Sequence, residues 1–529
     1  MNSNEISEGY AVLGIEFGST RIKSVLIGRD HKVLAAGSHE WENEYVDGVW
    51  TYSEENIMRG LQSSYLDLKK DVLNRYNVRL RKIAGIGISA MMHGYLPFDG
   101  QMHLLTPFRT WRNTITGEAS ALLTEAFSFN MPQRWSLSHL YQAILNREDH
   151  VPDIRFITTL AGWIHFLLTG EKVIGIGDAS GIMPIDCNSC NYDSHMIGIF
   201  DQMIDEYKFP WKLNEILPRV LCAGENAGYL TSTGAMLLDP ENDLLPGCPV
   251  CPPEGDAGTG MTATNSVRVR TGNVSAGTSI FSMIVLEKMM SKVYPEIDIV
   301  TTPSGKPVGM VHCNSCSSDI NAWVSLFREF ALTMGFKADT SDIFRSLFMK
   351  ALEGEKDCGG IVSFNYFAGE PVTGLSEGRP MLVRLPNAHM NLANFMRAQI
   401  YASMETLKVG MEIMNKEQVA IDCVYGHGGL FKTEGVAQGI LAAAIHAPVT
   451  VMETAGEGGA WGIALLADYM LNRTDGESLE DYLDNKVFGG MKRSTVSPDG
   501  LDEAGFDKYM ERFWQCIPAQ QAAVEHFKG

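Results

Sequence analysis

The chain has 529 residues, with 43 basic and 63 acidic side chains and a formal net charge of −20. This length is too great for one core and predicts several domains or two large α/β lobes. The acidic balance disfavours nucleic acid and anionic membranes as partners, because both need a cationic face. Residues 1–10 are polar and acidic, and no apolar run is long enough to span a membrane, so we expect a cytoplasmic protein.

The first informative motif is a glycine turn near the N-terminus, between two strand-like runs. It covers residues 14–20 and precedes an apolar run that ends at Leu26. Glycine permits a tight turn with free backbone N–H groups, and Ser or Thr hydroxyls add donors, so such a turn can hold phosphate oxygens. Glu16 ends the first run. Its carboxylate could hold Mg²⁺ directly or through water, and the alternative is a solvated loop acid.

A second turn of the same kind lies at residues 271–279, in the other half of the chain. One turn in each half predicts two related domains that hold a nucleotide. Shortly before it, residues 255–258 read Gly-Asp-Ala-Gly, directly after a proline-rich segment. A carboxylate among glycines leaves room for a substrate, so Asp256 could serve as a general base toward a hydroxyl in phosphoryl transfer. The alternative is an ordinary turn.

Two further segments are candidates for substrate contacts. Met92 and His93 follow a predicted strand at 83–88, and open α/β sheets bind ligands at the carboxyl ends of their strands. Trp111, Arg112 and Asn113 combine an aromatic face with donors and acceptors, which suits a sugar. The alternatives are a structural histidine and a partly buried tryptophan. The glycines at 85 and 87 fall inside the predicted strand, which argues against a dinucleotide fingerprint, and the sequence contains no P-loop motif.

The ten cysteines include a repeated Cys-Asn-Ser-Cys unit, at 187–190 and 313–316. Paired C-x-x-C units could bind zinc or run redox chemistry. The two units lie far apart in the chain, and neither sits in a small redox-domain pattern. Ordinary reduced thiols are therefore the favoured interpretation.

Strand-like and helical patterns alternate along both halves, which predicts α/β lobes. Apolar spacing predicts helices over 53–73, 154–168, 319–334, 392–414 and 506–514, and a strand over 419–426. Residues 224–253 are rich in Gly, Pro, Asn and Asp and mark a domain boundary.

Taken in order, these motifs resemble the FGGY family of carbohydrate kinases, most closely its xylulokinase-like branch. The segments that carry the resemblance are 13–20, 92–94, 111–113, 178–181, 255–256, 275–279, 369–370, 397–398, 428–429 and 457–462. The resemblance implies an α/β fold of two actin-like ATPase (ribonuclease H-like) lobes with an active-site cleft between them. It implies an N-terminal lobe over 1–252, a C-terminal lobe over 253–470 and a helical tail over 471–529 that packs back on the lobes.

The resemblance also implies an enzyme that uses ATP and Mg²⁺ to phosphorylate the terminal hydroxyl of a small sugar, most closely a ketopentose such as D-xylulose. Asp256 matches the family's base, and Glu16 stands at the metal position. The expected sugar contacts are Met92, His93, Trp111, Arg112, Asn113 and Asp256. The expected phosphate and adenosine contacts are Gly18, Ser19, Thr20, Gly277, Thr278, Ser279, Gly428 and Gly429.

Three departures from the family pattern bear on the substrate. Glu16 stands where the family usually has Asp, Trp111-Arg112-Asn113 stands where xylulokinases have Trp-Asn-Asp, and Ala257 replaces an amide or hydroxyl residue. L-Ribulose, L-fuculose or another polyol are therefore alternative substrates, and a non-catalytic nucleotide-binding regulator is the alternative of another class. A homodimer is compatible with this prediction. Lobe closure is expected to hinge near 245–253 and 467–471, where prolines or a returning chain would join the lobes.

Overall fold

The computed structural model describes residues 2–337, 339–453 and 458–528, and the chain divides into two compact units. The first unit comprises residues 1–267, 298–308 and 457–490, and the second comprises 268–297, 309–456 and 491–529. Residues 253–267 thus group with the first unit, whereas the predicted lobe boundary assigned them to the second, and that boundary stays a prediction. Both segments expected to join the lobes, 245–253 and 467–471, lie inside the first unit, so the chain does not pass between the units there.

The first unit is built around a five-stranded sheet. Its strands are β1 (Val12–Phe17), β2 (Arg21–Ile27), β3 (Val33–Glu40), β4 (Gly85–Ala90) and β5 (Glu254–Gly255), in the spatial order β5-β4-β1-β2-β3. The β1–β2 and β2–β3 pairs are antiparallel, and the β1–β4 and β4–β5 pairs are parallel. Apolar residues of β1 and β4, such as Ile15 and Ile88, are fully buried in the core of this unit.

Helices and short strands surround this sheet. The helices are Asn2–Glu8, Glu54–Tyr76, Gly117–Phe127, Ser136–Leu145, Leu160–Thr169, Ile176–Ala179, Ser194–Met203, Leu213–Ile216, Ser232–Leu238, Asp256–Ala263, Gly458–Asn472 and Leu479–Tyr482. The further strands are Glu44–Val46, Val49–Thr51, Leu96–Phe98, Phe156–Thr158, Val173–Gly175, Ile185–Asp186, Asn191–Tyr192, Arg219–Leu221 and Asp298–Thr301.

The second unit is also built on a mixed sheet. Six of the seven strands of this sheet are β6 (Thr271–Ala276), β7 (Ile280–Val285), β8 (Pro307–Cys313), β9 (Cys423–His427), β10 (Val449–Met452) and β11 (Arg493–Val496), in the order β8-β7-β6-β9-β10-β11. The helices are Ser318–Thr333, Thr340–Ala351, Leu392–Ala402, Glu405–Lys416, Val436–Ile445 and Gly500–His526, and a two-stranded sheet joins Ile361–Phe364 to Met381–Arg384. Both units therefore place helices around a mixed sheet, which confirms the predicted α/β class.

Local signals explain several helix ends. The side chain of Ser53 caps the helix Glu54–Tyr76 by accepting from the N–H of Asn56, and Asn77 ends it in the left-handed conformation. Gly170 ends the helix Leu160–Thr169 in the same way. The predicted start of that helix is wrong, because Phe156–Thr158 forms a strand. The helix predicted over 392–414 is two helices, separated at Ser403 and Met404.

Candidate active site

The chemistry-bearing residues of the first unit lie at the carboxyl ends of neighbouring parallel strands. Phe17 of β1 is in register with Ala90 of β4, and Ser89 of β4 is in register with Glu254 of β5. The N–H of Met91 donates to the carbonyl of Phe17 at 2.9 Å, which extends the pairing past the end of β4. Side chains that are far apart in the sequence are thereby gathered at one edge of the sheet, where α/β proteins bind ligands.

Asp256 is the first residue of the helix Asp256–Ala263, directly after β5. Its Oδ1 accepts a hydrogen bond from the backbone N–H of Met92 at 3.2 Å. Desolvation raises the pKa of Asp256 to about 6, while the N–H groups of Met92 and Ala257 act in the opposite direction. The side chain nevertheless remains exposed to solvent. It is therefore a fixed, reachable carboxyl that titrates just below neutral pH.

Glu16, at the end of β1, lies close enough to Asp256 for the two charges to interact. Burial, and to a smaller extent the charge of Asp256, raise the pKa of Glu16 to about 7, against a hydrogen bond from the N–H of Ala460. That N–H donates to Oε2 of Glu16 at 3.1 Å. A cation beside these two carboxyls would relieve their repulsion and favour their charged forms.

The donor set suits Mg²⁺ in particular. Among the described residues, no three His, Cys, Asp or Glu side chains cluster so as to hold a metal ion. Mg²⁺ commonly takes only one or two protein carboxylates and completes its shell with water and phosphate oxygens. Glu16, with Asp256 close by, is a ligand set of that size.

Glycines bring the helix Gly458–Asn472 close to Glu16. A Cβ on Gly14 would lie 2.1 Å from the carbonyl of Ala460, and a Cβ on Gly459 would lie 2.2 Å from Oε1 of Glu16. Only glycine therefore lets this end of the helix approach β1. The segment 457–462, which carries part of the family resemblance, begins at Glu457, which lies outside the described residues.

Two fully buried carboxyls, those of Glu254 and Asp178, support Asp256. Of the two, only Asp178 belongs to a motif that the sequence analysis recognised. Glu254 accepts from the N–H of Gly177 at 3.2 Å and from that of Asp178 at 2.9 Å. Asp178 accepts from the hydroxyl of Thr159 at 2.5 Å, while its Oδ1 has no hydrogen-bond partner in the described part of the chain. Desolvation raises the pKa of Glu254 to about 8 and that of Asp178 to about 7. Sequence reasoning missed Glu254, although it directly precedes Gly255-Asp256.

Met92 and His93 lie against Asp256 and two glycines. A Cβ on Gly255 would meet Cγ of Met92 at 2.1 Å, and one on Gly181 would meet Nδ1 of His93 at 2.7 Å. His93 has a left-handed φ of +70°, a strained conformation for this residue type. Such strain is concentrated at functional sites, which supports the prediction that a ligand is bound here.

His93 is held as a neutral, oriented ring. Burial lowers its pKa well below the usual value, and nearby Arg134 lowers it further. Nδ1 lies 3.4 Å from the carbonyl of Gly181, which can only accept, so Nδ1 carries the proton. Nε2 of the neutral ring is consequently a hydrogen-bond acceptor. The ring also stacks on Trp135, with 6.2 Å between centroids.

The side chains of Trp111, Arg112 and Asn113 make different kinds of contact. Asn113 is almost fully buried, and its amide bonds the N–H of Trp50 at 2.8 Å, the carbonyl of Trp50 at 2.8 Å and that of Thr110 at 2.9 Å. A sugar contact through this amide would require those bonds to break, so its geometry favours a structural role over the predicted one. The guanidinium of Arg112 lies 4.1 Å from the ring centroid of Trp50.

The first glycine turn, at Gly18, Ser19 and Thr20, is held from outside by aromatic side chains. Nε1 of Trp41 donates to the carbonyl of Gly18 at 2.7 Å, and the hydroxyl of Tyr52 donates to that of Ser19 at 2.6 Å. Trp111 donates to the hydroxyl of Ser19 at 3.3 Å. Trp41 and Tyr52 were not predicted, because no local pattern links them to a turn so distant in the chain.

In the second unit, the two predicted glycine turns are neighbours. Ser275 of β6 is in parallel register with His427 of β9, so Gly277-Thr278-Ser279 and Gly428-Gly429 follow adjacent strand ends. Gly428 has a φ of +104°, and a Cβ on it would lie 2.4 Å from the carbonyl of Ala276. Gly277 and Gly429 border open space, and Thr278 is exposed. The turns thus present backbone groups and a hydroxyl to solvent, as a phosphate site requires.

The second Cys-Asn-Ser-Cys unit has a structural role beside this turn. The carboxylate of Glu370 accepts from the N–H groups of Asn314, at 3.1 Å, and Ser315, at 2.7 Å. The next N–H groups along the chain, those of Cys316 and Ser317, donate to the carbonyls of Thr278 at 2.9 Å and Gly277 at 3.1 Å. All ten cysteines are free thiols.

Comparison with known families identifies the chain. The model of the N-terminal domain of the FGGY family of carbohydrate kinases matches residues 11–242, and the model of its C-terminal domain matches residues 272–471. The chain belongs to the FGGY family of carbohydrate kinases. It is therefore a phosphotransferase, and its family implies ATP as the phosphoryl donor. Among the described helices, none has the length and apolar character needed to cross a bilayer.

Individual relatives are distant and act on different substrates. A xylulose kinase of Haemophilus influenzae is 22% identical over 420 residues, which is 76% of this chain and 80% of the relative. Two solved structures from Lactobacillus acidophilus, a ligand-bound xylulose kinase and a gluconate kinase, superpose with a TM-score of 0.78. The xylulose kinase is 15% identical, and the match covers 98% of this chain and 100% of that structure's chain. The gluconate kinase is 16% identical, and the match covers 98% of this chain and 99% of that structure's chain. These likenesses confirm the two-domain FGGY kinase fold and leave the substrate open.

Proposed function

We propose that this carbohydrate kinase transfers the γ-phosphoryl group of ATP to the terminal hydroxyl of a ketopentose, D-xylulose in the first instance, with Mg²⁺ as cofactor. The observation that carries the proposal is the setting of Asp256. It is an exposed carboxyl, fixed by the N–H of Met92 and next to a strained histidine, with its pKa raised to about 6. A base of that strength is ionised at neutral pH and still accepts a proton readily.

In this mechanism Asp256 takes the proton of the attacking sugar hydroxyl while the sugar oxygen bonds to the γ-phosphorus, the bond from that phosphorus to the β–γ bridging oxygen breaks, and ADP leaves. Phosphoryl transfer asks mainly for positioning and charge neutralisation, so a single well-placed base suffices. The N–H groups of Met92 and Ala257 hold this carboxylate, and its remaining lone pairs are the ones that would accept from the sugar hydroxyl. The buried carboxyls of Glu254 and Asp178 fix the backbone around Asp256 and do not themselves contact the sugar.

Glu16 would hold Mg²⁺, directly or through a water molecule, and the bound metal would supply positive charge to the phosphates. Its raised pKa means that the metal and a proton compete for this carboxylate near neutral pH. Gly18, Ser19 and Thr20 would contact phosphate oxygens in the first unit. Gly277, Thr278 and Ser279 would do so in the second unit, and Gly428 with Gly429 would lie beneath the adenosine.

The sugar would bind beside His93. Because Nε2 of this neutral ring is an acceptor, it selects a sugar hydroxyl as donor, and Met92 supplies an apolar contact. Trp111 and Arg112 are the further candidates for sugar contacts. Asn113 would act indirectly, by holding the segment of Trp50 in place.

The test is ADP release measured over a panel of D-xylulose, L-ribulose, L-fuculose, glycerol and gluconate, with the phosphorylated position read by NMR. The proposal expects the highest kcat/KM for D-xylulose and a phosphate ester at its terminal carbon. A higher kcat/KM for another member of the panel would support the kinase activity and assign it a different substrate. Tight ATP binding without ADP release for any of them would favour the nucleotide-binding regulator. The cytoplasmic location stays a prediction.

A further inference from the structure

The first unit contains a cavity of about 450 Å³ whose lining includes none of the residues of the candidate active site. Cavities that bind small molecules have volumes of about 300 to 1,000 Å³. This cavity lies where the turn after the helix Ser136–Leu145 meets the segment 206–209. Ile144, Val151 and Pro152 supply apolar surface to it. It therefore has the size and the apolar lining of a small-molecule site.

Stacked aromatic rings form one wall of this cavity. The rings of Tyr207 and Phe209, which both line it, are parallel to within 3°, with 5.6 Å between their centroids. Buried Trp211 continues the stack at 5.0 Å from Phe209, and its Nε1 donates to the carbonyl of Val151 at 3.0 Å. The aromatic wall is thus fixed to another lining residue. The face of an aromatic ring attracts cations as well as apolar groups.

The charged side chains of the lining are mostly acidic. Glu148, Asp149 and Glu206 line the cavity, against a single lining cation, Arg147. Glu148 is paired with Arg109. Asp149 and Glu206, by contrast, have no hydrogen bond or ion pair through their side chains in the described part of the chain. A cation in the cavity would gain both these carboxylates and the ring faces, whereas an anion would be repelled by the acids.

We propose that this cavity is a regulatory site for a small organic ammonium ion. The apolar or aromatic body of the ligand packs on Tyr207 and Phe209, and its ammonium group pairs with Asp149 and Glu206. The bound cation also weakens the hold of Glu148 on its partner, and this lowers the affinity for the sugar. Binding of the ammonium ion does not depend on the proposed function, whereas its effect on the sugar rests on the sugar site proposed above.

Glu148 connects the cavity to that sugar site. Its carboxylate accepts two hydrogen bonds from the guanidinium of Arg109, one of them at 3.2 Å. The backbone of Arg109 pairs with that of Tyr95, whose N–H donates to the carbonyl of Arg109 at 2.9 Å. A Cβ on Gly94 would lie 2.8 Å from the same carbonyl, and Gly94 directly follows His93. An ammonium group that competes with Arg109 for Glu148 therefore loosens the segment that carries His93.

The first test is calorimetry of the full chain with benzylamine and choline as ammonium probes, and with benzyl alcohol and benzoate as neutral and anionic counterparts. The ammonium probes are expected to bind roughly tenfold more tightly than either counterpart. Glu206→Gln should weaken their binding roughly fivefold, and Arg147→Gln should strengthen it, because it removes the lining cation. The matched control is Glu55→Gln, since Glu55 is exposed on the helix Glu54–Tyr76, outside the cavity. Failure of both ammonium probes to bind, or tighter binding of benzoate, would overturn the proposal.

The second test measures the effect of the tighter ammonium probe on the sugar that ADP release identifies as preferred. At a saturating concentration of the probe, the KM for that sugar is expected to rise at least threefold, with the KM for ATP unchanged, because a coupling of this kind is typically worth fivefold or more. Phe209→Ala, checked by thermal unfolding, should lose both the binding and the rise in KM. Glu148→Gln should keep the binding and lose the rise.

Two results would overturn the regulatory role. One is binding of the probe without a change in the KM for the sugar. The other is a rise in KM that persists in folded Phe209→Ala, because the probe would then compete directly at the active site. If no sugar is phosphorylated, the proposed function fails, and calorimetry still decides whether the cavity binds an ammonium ion.

Discussion

The turn at residues 18–20 of the first unit and the turn at 277–279 of the second each join two antiparallel strands, β1 to β2 and β6 to β7. The first is held by side chains, namely the indole of Trp41 and the phenol of Tyr52. The second is held by the loop that Glu370 anchors, in which the N–H groups of Cys316 and Ser317 and the hydroxyl of Ser317 donate to the carbonyls of Thr278 and Gly277. The aromatic supports of the first turn therefore have a polar loop as their counterpart at the second.

The surroundings of the two turns differ in charge. Beside the first turn stand Glu16 and Asp256, carboxyls whose pKa values are raised to about 7 and 6. The second turn adjoins Gly428 and Gly429, which offer only backbone groups, and the carboxylate of Glu370 near it is bonded to the N–H groups of Asn314 and Ser315. We infer that the first unit supplies the proton transfer and the metal ligand, and that the second unit supplies shape and neutral donors to the nucleotide. The variants below test this division of labour.

The largest effect is expected for Asp256→Asn. Asparagine has nearly the same shape and can still accept from the N–H of Met92, but it cannot take a proton, so kcat should fall by roughly 10²–10⁴-fold. Sugar and ATP affinities, measured by calorimetry, should change little. Turnover within a few-fold of the wild type would remove Asp256 as the base.

The next largest effect is expected for Gly428→Ala. A Cβ there would lie 2.4 Å from the carbonyl of Ala276, and φ is +104°, so the β9 turn must shift. We expect the KM for ATP to rise by roughly 10-fold or more, with a smaller change in the KM for the sugar. Gly429→Ala is the control, because a Cβ at Gly429 would meet open space. Equal effects of the two substitutions would show that the backbone of Gly428 is not what positions the nucleotide.

A smaller effect is expected from pH. The pKa of Asp256 lies near 6, above the usual value for an aspartate. Lowering the pH through 6 therefore protonates the base, which can then no longer accept the proton of the sugar hydroxyl. The value of kcat/KM should therefore fall on the acidic side, by up to about tenfold per pH unit below 6, and level off above 7. Because Glu16 titrates nearby, the apparent values belong to the pair. The residual activity of Asp256→Asn should lack this acidic limb, and a limb that persists there would assign the titration to another group.

Much of the site was predictable because its signals are local. Gly18-Ser19-Thr20 and Gly428-Gly429 each mark the end of a strand, and Gly255-Asp256 marks a strand that passes directly into a helix, in every case through residues that adjoin in sequence. The class of the fold followed from strands alternating with helices. The supporting contacts were not predictable, because Trp41, Tyr52 and Glu370 reach their partners through tertiary contacts alone, although the segment 369–370 was among those that carried the family resemblance. Asn113 shows the converse: its position in a motif favoured ligand binding, whereas its buried amide is bonded to backbone groups.

The smallest effect is expected for Glu16→Asp, compared with Glu16→Gln. Aspartate keeps the charge but is one methylene shorter, so it retracts from the N–H of Ala460, which Oε2 reaches at 3.1 Å. A water molecule can bridge that gap to Mg²⁺, and we expect kcat to fall only about two- to fivefold. Glutamine keeps the length but loses the charge, and should raise the Mg²⁺ concentration needed for half-maximal activity by roughly tenfold or more. If the two variants need the same Mg²⁺ concentration for half-maximal activity, the length of the side chain rather than its charge is what matters at this position. If neither responds, Glu16 is not the metal ligand, and the carboxyl that holds Mg²⁺ in the first unit must be sought at Asp256 itself.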